Sequence, residues 1–445
     1  MSEKLLNWYR MDNSAKLYPV MTTENSQSLF RISLLLGTKI SPEPLKEAVG
    51  LTLKRFSTFN VRIRRGVFWY YFEENVKPPV VFPDNGILLQ KLKPRELNDF
   101  PFRVSYFGRK LSVDFFHAVT DASGAVEFIK AIAAHYFTLT GTPISLNILD
   151  SEPKDEEFED SFLKYYAPAK SEKLDLGQFK GKKSYKIPGE TFSGLGYGLI
   201  QAIMPLKEAL GLAKARGCSL TVLLTSLMMK SIAECGEAFD SPITIMVPVN
   251  LRKIFPSRTL FNFVLFVSLS VQPQKTYTLD DYIRINKAAL ADALEKDNLQ
   301  RKINTSVKGL NLILFRFMPL PLKYAALKIG RLFIKGGSQT SILSNVGAVD
   351  LEGLDVEYMS FNLNVSKNSP VNMAAVSANG KLALSFTRAI KSAEIEKRFI
   401  RELAAEGIEI DVNSNFRECV ISRNCGGNDN SDKDKGGDGT GGGKR

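Results

Sequence analysis

Hydrophobic and polar positions in the first third of the chain alternate with the periods of strands and helices. The apolar run Leu29–Leu36 predicts a strand, and the spacing within Pro44–Phe56 predicts a helix after it. Two β-hairpins are predicted next, over Val61–Phe72 and Phe102–His117. The apolar period then changes to that of an amphipathic helix over Ala125–Phe137. This region is therefore predicted to be a mixed α/β structure.

The second half repeats this alternation. Its predicted elements are strands at Leu199–Met204, Ile243–Val249 and Phe261–Val271, helices at Leu206–Arg216, Leu220–Cys235 and Ala393–Ala404, and a hairpin over Val376–Arg388 that turns at Asn379-Gly380. A chain of 445 residues exceeds one ordinary core, so we expect two halves. We place the N-terminal half at 1–150, a crossover linker at 151–190, the C-terminal half at 191–425 and a disordered tail at 426–445.

The two halves also share a short sequence match. Residues 110–118 and 381–389 align without gaps, each after a glycine-containing turn and before a helix. If the halves are diverged copies, the second carries Arg388 where the first carries His117. Two hairpins of similar composition also match by chance over nine residues, so both explanations remain open.

The net charge of +12 fits nucleic acid, a membrane surface or an anionic substrate as a partner. The charge is spread without a block of five like charges, so we do not expect nucleic acid binding. Residues 312–335 mix basic and apolar side chains around Pro319 and Pro321. We expect two helices joined at this proline break, and peripheral membrane contact is the alternative.

Several further features exclude whole classes of protein. No apolar stretch reaches 18 residues and the first residues lack a basic region followed by an apolar one, so we expect a cytoplasmic chain. Four cysteines form no C-x-x-C pair and there are only two histidines. We therefore expect free thiols, no metal and no bound cofactor.

The candidate chemistry lies in the run from Phe116 to Gly124, which has the spacing H-x-x-x-D-x-x-G with His117 and Asp121. The strand period places His117 on the apolar face at the strand's end, and Asp121 falls where a helix N-cap is preferred. A lone histidine on an apolar strand is more often a hydrogen-bonded core residue, and Asp121 as a cap alone is the corresponding alternative. The arrangement is also one that orients a catalytic base.

Together with three other motifs, this run resembles the chloramphenicol acetyltransferase and condensation-domain superfamily, and most of all its bacterial alcohol acetyltransferase branch. The other motifs, in the family's order, are Trp8-Tyr9-Arg10-Met11-Asp12 with Lys16-Leu17-Tyr18-Pro19, Val247–Arg252 with Asn262-Phe263 behind it, and Leu343-Ser344-Asn345-Val346-Gly347. The chain departs from the fuller family motif H-H-x-x-x-D-G at two positions, where Phe116 replaces the first histidine and Ala122 the glycine.

The resemblance implies an α/β fold of two similar halves, each a mixed β-sheet with helices, and an active-site tunnel between them. His117 is implied to be the general base. Asp121 is implied to form a salt bridge that holds the loop, with Arg252 as the expected partner and Arg388 as the second choice; Gly124 supports the same turn. Ser344 or Asn345 is the expected oxyanion donor, although both also fit an ordinary turn.

The predicted function is that of an acyl-CoA-dependent O-acyltransferase, with acetyl or another short acyl group transferred to a small alcohol. Acetyl-CoA or another acyl-CoA is then a co-substrate. The alternatives are an N-acyltransferase or stand-alone condensation enzyme that uses a carrier-protein thioester, and a non-catalytic binding module with the same fold. The acceptor, the acyl length and the oligomeric state are left open by the sequence.

Overall fold

The structure is a computed structural model that describes residues 6–22, 28–142, 144, 152–168, 183–192, 197–236, 239–274, 276–312, 316–333, 339–351, 353–366 and 368–415. The predicted tail at 426–445 and the central part of the predicted linker lie outside these ranges. The division of the chain at 150 and 191 stays a prediction.

The described strands form three sheets of three, seven and five strands. These strands are β1 (Trp8–Arg10), β2 (Leu29–Leu36), β3 (Val61–Arg65), β4 (Tyr70–Glu74), β5 (Val81–Pro83), β6 (Phe102–Phe107), β7 (Lys110–Phe116), β8 (Gly198–Pro205), β9 (Ile243–Asn250), β10 (Val264–Val271), β11 (Ser341–Ala348), β12 (Val356–Leu363), β13 (Val371–Ala378), β14 (Lys381–Arg388) and β15 (Asp411–Ser414). The predicted strands and hairpins are among them. The prediction for Phe261–Val271 was three residues too long, because β10 begins at Val264.

Helices cover the sheets and connect them. They are α1 (Tyr18–Met21), α2 (Pro42–Arg55), α3 (Ala122–Leu139), α4 (Ser161–Lys164), α5 (Leu206–Ala215), α6 (Leu220–Cys235), α7 (Leu279–Ala293), α8 (Lys296–Leu310), α9 (Leu320–Phe333) and α10 (Glu394–Ala405). After the break at Pro319, the predicted second helix of residues 312–335 corresponds to α9. The mixed α/β fold class expected from the sequence is confirmed.

The five-stranded sheet has the order β12-β2-β7-β6-β5. Its edge strand β12 comes from the second half of the sequence and pairs antiparallel with β2, with Phe361 opposite Ile32. The two halves of the chain are therefore joined through a shared sheet.

The side chains of β7 explain how this sheet packs. Leu111, Val113 and Phe115 are fully buried on one face, and the Phe115 ring lies 6.0 Å from the ring of Phe128 in α3. On the other face Asp114 accepts hydrogen bonds from Arg31 at 2.7 and 2.8 Å. Both faces of β7 are thus fixed, and so is the direction in which the chain leaves the strand at His117.

The seven-stranded sheet has the order β10-β9-β11-β13-β14-β8-β15. Its β13–β14 hairpin turns at Asn379 and Gly380, whose φ angles of 49° and 74° are left-handed as a two-residue type I′ turn requires. Leucine, valine and phenylalanine side chains from β13, β14 and β9 pack with α6 and α10 in a second core. β9 and β10 at one edge carry the motif that contains Arg252.

No single described helix is long and apolar enough to cross a bilayer, and α5 and α6 meet that requirement only as a pair bent by 82°. Cys218 and Cys235 are free thiols. The described residues contain no cluster of three metal-ligating side chains.

Candidate active site

His117 lies immediately after β7, at the wall of a cavity of about 320 Å³. Its backbone N–H donates to the carbonyl of Ser28 at 2.8 Å. The imidazole stacks on the Tyr18 ring, with 4.6 Å between the centroids and 11° between the planes, and it meets the edge of Phe30 at 5.0 Å. Two aromatic rings therefore fix the plane of the imidazole.

Asn262 fixes the protonation of the ring. Its Nδ2 donates to the backbone carbonyl of His117 at 3.0 Å, and its Oδ1 lies 2.9 Å from His117 Nδ1. Because a carbonyl only accepts, the amide nitrogen has to face it, and the amide oxygen then faces Nδ1 as an acceptor. Nδ1 consequently carries the proton, and the free lone pair is on Nε2.

Burial lowers the pKa of His117 below its ordinary value. The carbonyls of His117 and Thr120, the charge of Asp121 and the hydrogen bond that the ring donates to Asn262 raise the pKa, and the effect of burial is the larger. The imidazole is therefore neutral at pH 7, which is the state that a general base needs.

Asp121 caps helix α3 and is almost fully buried. Its Oδ1 accepts from the N–H groups of Ser123 at 3.0 Å and Gly124 at 3.4 Å. Its Oδ2 accepts from the N–H of Phe263 at 2.9 Å and from Arg252 Nη1 at 2.8 Å. Both carboxylate oxygens are thus occupied by hydrogen bonds within the site, so that Asp121 positions the loop although it also forms part of the cavity wall.

Arg252 extends this network into the loop between β9 and β10. Its Nη2 donates to the carbonyls of Phe261 at 2.6 Å and Thr259 at 3.0 Å. The ion pair between Asp121 and Arg252 therefore holds the segment that carries Asn262 against the segment that carries His117. Arg388, the second choice for the partner of Asp121, is wrong: it is buried in the other core, where its Nη1 lies 3.6 Å from Glu396.

Gly124 is required by a close approach of the two loops. A Cβ at this position would lie 2.5 Å from the carbonyl oxygen of Leu260, closer than real contacts allow. The carbonyl of Leu260 also accepts from Thr120 Oγ1 at 2.7 Å. The spacing H-x-x-x-D-x-x-G thus has a structural cause at each of its three named positions.

Residues far apart in the sequence line the cavity around His117. Its apolar wall includes Phe30, Phe266, Phe361 and Leu363, and its polar lining includes Ser344, Asn345, Asn364, Ser366, Ser369 and Asn372. Among the described lining residues, Tyr18, His117 and Asp121 are the titratable ones, and none of them is a lysine or an arginine. The cavity is suited to an uncharged group that forms a few hydrogen bonds.

No family model and no curated protein matches the sequence. Solved structures match the fold over most of the chain. Polyketide synthase associated protein 5 from Mycobacterium tuberculosis has a TM-score of 0.59 and 11% identity, covering 89% of this chain and 97% of that one. TRI101 of F. sporotrichioides, complexed with coenzyme A and T-2, has a TM-score of 0.59 and 11% identity, covering 91% and 99%. The first condensation domain of the CDA synthetase has a TM-score of 0.56 and 13% identity, covering 91% and 97%.

The chain has the condensation-domain fold. The expected resemblance is therefore confirmed at the level of architecture. Identities of 11% to 13% leave the activity to be argued from the site.

Ser344 and Asn345 lie on β11 and line the same cavity as His117. Asn345 Nδ2 donates to Thr221 Oγ1 at 3.0 Å, and its Oδ1 accepts from the N–H of Gly347 at 3.0 Å. The amide of Asn345 is therefore committed to helix α6 and to its own turn, where Gly347 has the left-handed φ of 89°. Ser344 is the better placed of the two as a donor toward the cavity.

Tyr18 and Asn262 are the functional residues to which the sequence alone assigned no role. Both belong to motifs that carry the resemblance, and this was the available signal. Their roles depend on contacts with His117 across 99 and 145 positions of sequence, which period and spacing do not predict.

Proposed function

We propose that this chain is an acyltransferase that moves an acyl group from a thioester, acyl-CoA in the first instance, to the hydroxyl of an alcohol. The observation that carries the proposal is the neutral His117 at the cavity wall, with Nδ1 committed to Asn262 and Nε2 left as the base. Such a base on a lined cavity has no purpose in core packing. The same arrangement of His117 is evidence against a non-catalytic binding module.

In the proposed reaction, His117 Nε2 removes the proton from the acceptor hydroxyl while the oxygen attacks the thioester carbonyl. A tetrahedral intermediate forms, and its carbon–sulfur bond then breaks. The departing thiolate takes the proton from the imidazolium, so the products are an ester and a free thiol. The aromatic contacts of Tyr18 and Phe30 keep the ring in one orientation through both proton transfers.

Ser344 is the proposed donor to the negative oxygen of the intermediate. It lines the cavity with His117, and its neighbour Asn345 is engaged elsewhere. Loss of one such donor lowers kcat by roughly 100-fold. Ser344→Ala is therefore expected to lower kcat with little change in KM, and Ser366→Ala, at another part of the same cavity, is the matched control.

The lining also restricts the acceptor. Because no lysine or arginine is among the described lining residues, a carboxylate or phosphate on the acceptor would lose its hydration without gaining an ion pair. We therefore expect an uncharged alcohol. A panel that compares each neutral alcohol with an analogue bearing a carboxylate tests this, and a preference for the acids would contradict it.

The acyl donor, acyl-CoA or an acyl carrier protein, is also open, because the solved neighbours include a coenzyme A complex as well as condensation domains. Acyl-CoA and an acyl carrier protein should be offered in parallel to the full chain, with an alcohol and an amine as acceptors. Release of free thiol that depends on acyl-CoA and alcohol supports the O-acyltransferase. Thiol release only from the carrier protein would favour the condensation enzyme.

A further inference from the structure

Exposed hydrophobic side chains are concentrated around a second cavity, of about 880 Å³. Five of its lining residues are large hydrophobics that are at least two-fifths exposed, and we call them the apolar rim: Trp8, Val67, Phe68, Leu163 and Phe317. None of the described residues that line this cavity also lines the one around His117. Contiguous apolar surface of this kind marks a binding surface more often than a free one.

Three of the rim residues, Val67, Phe68 and Phe317, are held in place by contacts with the fold or with each other. The N–H of Leu320, the first residue of α9, donates to the carbonyl of Val67 at 2.9 Å. Lys323 Nζ donates to the carbonyl of Phe68 at 2.6 Å and lies 3.6 Å from the centroid of Trp69. The rings of Phe68 and Phe317 meet edge to face at 6.1 Å. The β3–β4 turn and the start of α9 therefore present their apolar side chains as one fixed surface.

The charged side chains that line this cavity differ in their exposure to solvent. The exposed charged residues of the cavity lining are Arg10 and Arg316, both positive. Asp12 and Asp160 are less exposed, as is Lys16, and burial raises the pKa of Asp12 to about 7, which reduces its average negative charge near neutral pH. The rim therefore presents positive charge to the solvent, on a chain whose net charge is +12.

We propose that the apolar rim, with Arg10 and Arg316 beside it, docks the protein on the surface of an anionic membrane. Tryptophan and phenylalanine with adjacent arginines match the two layers of such a surface, because the rings enter the headgroup region while the guanidinium groups pair with lipid phosphates. Docking does not rest on the acyltransferase function, since the two cavities share no described lining residue.

Vesicle sedimentation of the full chain tests the proposal. The vesicles contain phosphatidylcholine alone or phosphatidylcholine with phosphatidylglycerol. We expect binding to the anionic vesicles that weakens at high salt, and a loss of about tenfold or more in Phe68→Ser/Phe317→Ser and in Arg10→Gln/Arg316→Gln. Phe107→Ser is the matched control, because Phe107 is 73% exposed at the turn of another hairpin.

Thermal unfolding and acyl transfer to a soluble alcohol accompany the binding measurement, and both are expected to stay at the wild-type level in the rim variants. Absence of binding to anionic vesicles would overturn the proposal. Equal loss of binding in Phe107→Ser would also overturn it. So would rim variants that alter self-association of the protein and leave vesicle binding unchanged. Failure of the acyl-transfer assay in wild type bears on the proposed function alone.

Discussion

The amide of Asn262 contacts His117 at both of its ends, accepting from Nδ1 at 2.9 Å and donating to the backbone carbonyl at 3.0 Å. The two contacts together select one tautomer of the imidazole and fix the ring against its own main chain. Asn262 is therefore a positioning residue, which acts on the reaction through His117.

Replacement of Asn262 by leucine should lower kcat by roughly tenfold or more, because the ring loses the acceptor that keeps the proton on Nδ1. That hydrogen bond also favours the charged imidazole, so its loss should move the acid limb of the kcat profile to lower pH. The exposed Asn85→Leu serves as the control. A lower rate with an unmoved acid limb would assign Asn262 a packing role only.

The pH dependence follows from the lowered pKa of His117. Activity should be constant near neutral pH and fall on acidification, with a midpoint below the ordinary histidine value of about 6.5. The lowered pKa also makes the free energy of unfolding depend on pH. Because the unfolded chain binds the His117 proton at a higher pH than the folded chain does, the protein should be most stable with respect to this group above about pH 6.5. Its stability should then decrease as the pH falls towards the folded pKa. Urea unfolding of wild type and His117→Gln at several pH values checks the sign, and greater wild-type stability in acid would contradict it.

The ion pair between Asp121 and Arg252 is expected to matter for folding as well as rate. Asp121→Ala leaves a mostly buried arginine without its carboxylate, which costs about 3–5 kcal/mol. Asp121→Ala/Arg252→Ala should lose less than the sum of the single variants, because the unpaired charge is gone. Asp121→Asn should lower both stability and rate. A variant with full stability and no activity would show that Asp121 has a direct chemical role.

Two glycine variants test the packing of the site loops. Gly124→Ala forces a Cβ against the carbonyl of Leu260 and should destabilise the protein by about 1–3 kcal/mol. Gly50→Ala lies inside α2 with nothing within 4 Å of the added carbon, so it should stabilise by about 0.5–1 kcal/mol. Thermal unfolding of both variants measures the contrast. Equal effects of the two substitutions on stability would mean that the loops carrying Gly124 and Leu260 separate easily.

Local patterns were sufficient for most of the regular structure. β2 and α6 have the predicted bounds, and the turn at Asn379-Gly380 is the predicted one, because period and turn chemistry act over a few residues. Helix α3 begins at Ala122, three residues before the predicted start, since Asp121 caps it directly. The addition of β12 to the five-stranded sheet had no local signal, because it depends on pairing with β2 more than 300 residues away.

The candidate site likewise contains residues that the sequence predicted and residues that it did not. The order of the motifs was enough to choose Arg252 as the partner of Asp121. The match between 110–118 and 381–389 was misleading for Arg388, which lies in a different core although both hairpins precede a helix. The roles of Asn262 and of the apolar rim arise where separate segments meet in space, and neither period nor composition encodes such a meeting.

The most direct test of the proposed function is thiol release from acyl-CoA in the presence of a neutral alcohol, measured for wild type, His117→Ala and His135→Ala. His135, on α3, is the matched control because it is the only other histidine in the sequence. We expect acceptor-dependent release by wild type and His135→Ala, and a loss of about 100-fold or more in His117→Ala while that variant still unfolds cooperatively on heating. Equal release by His117→Ala and wild type would contradict the assignment of His117 as the base.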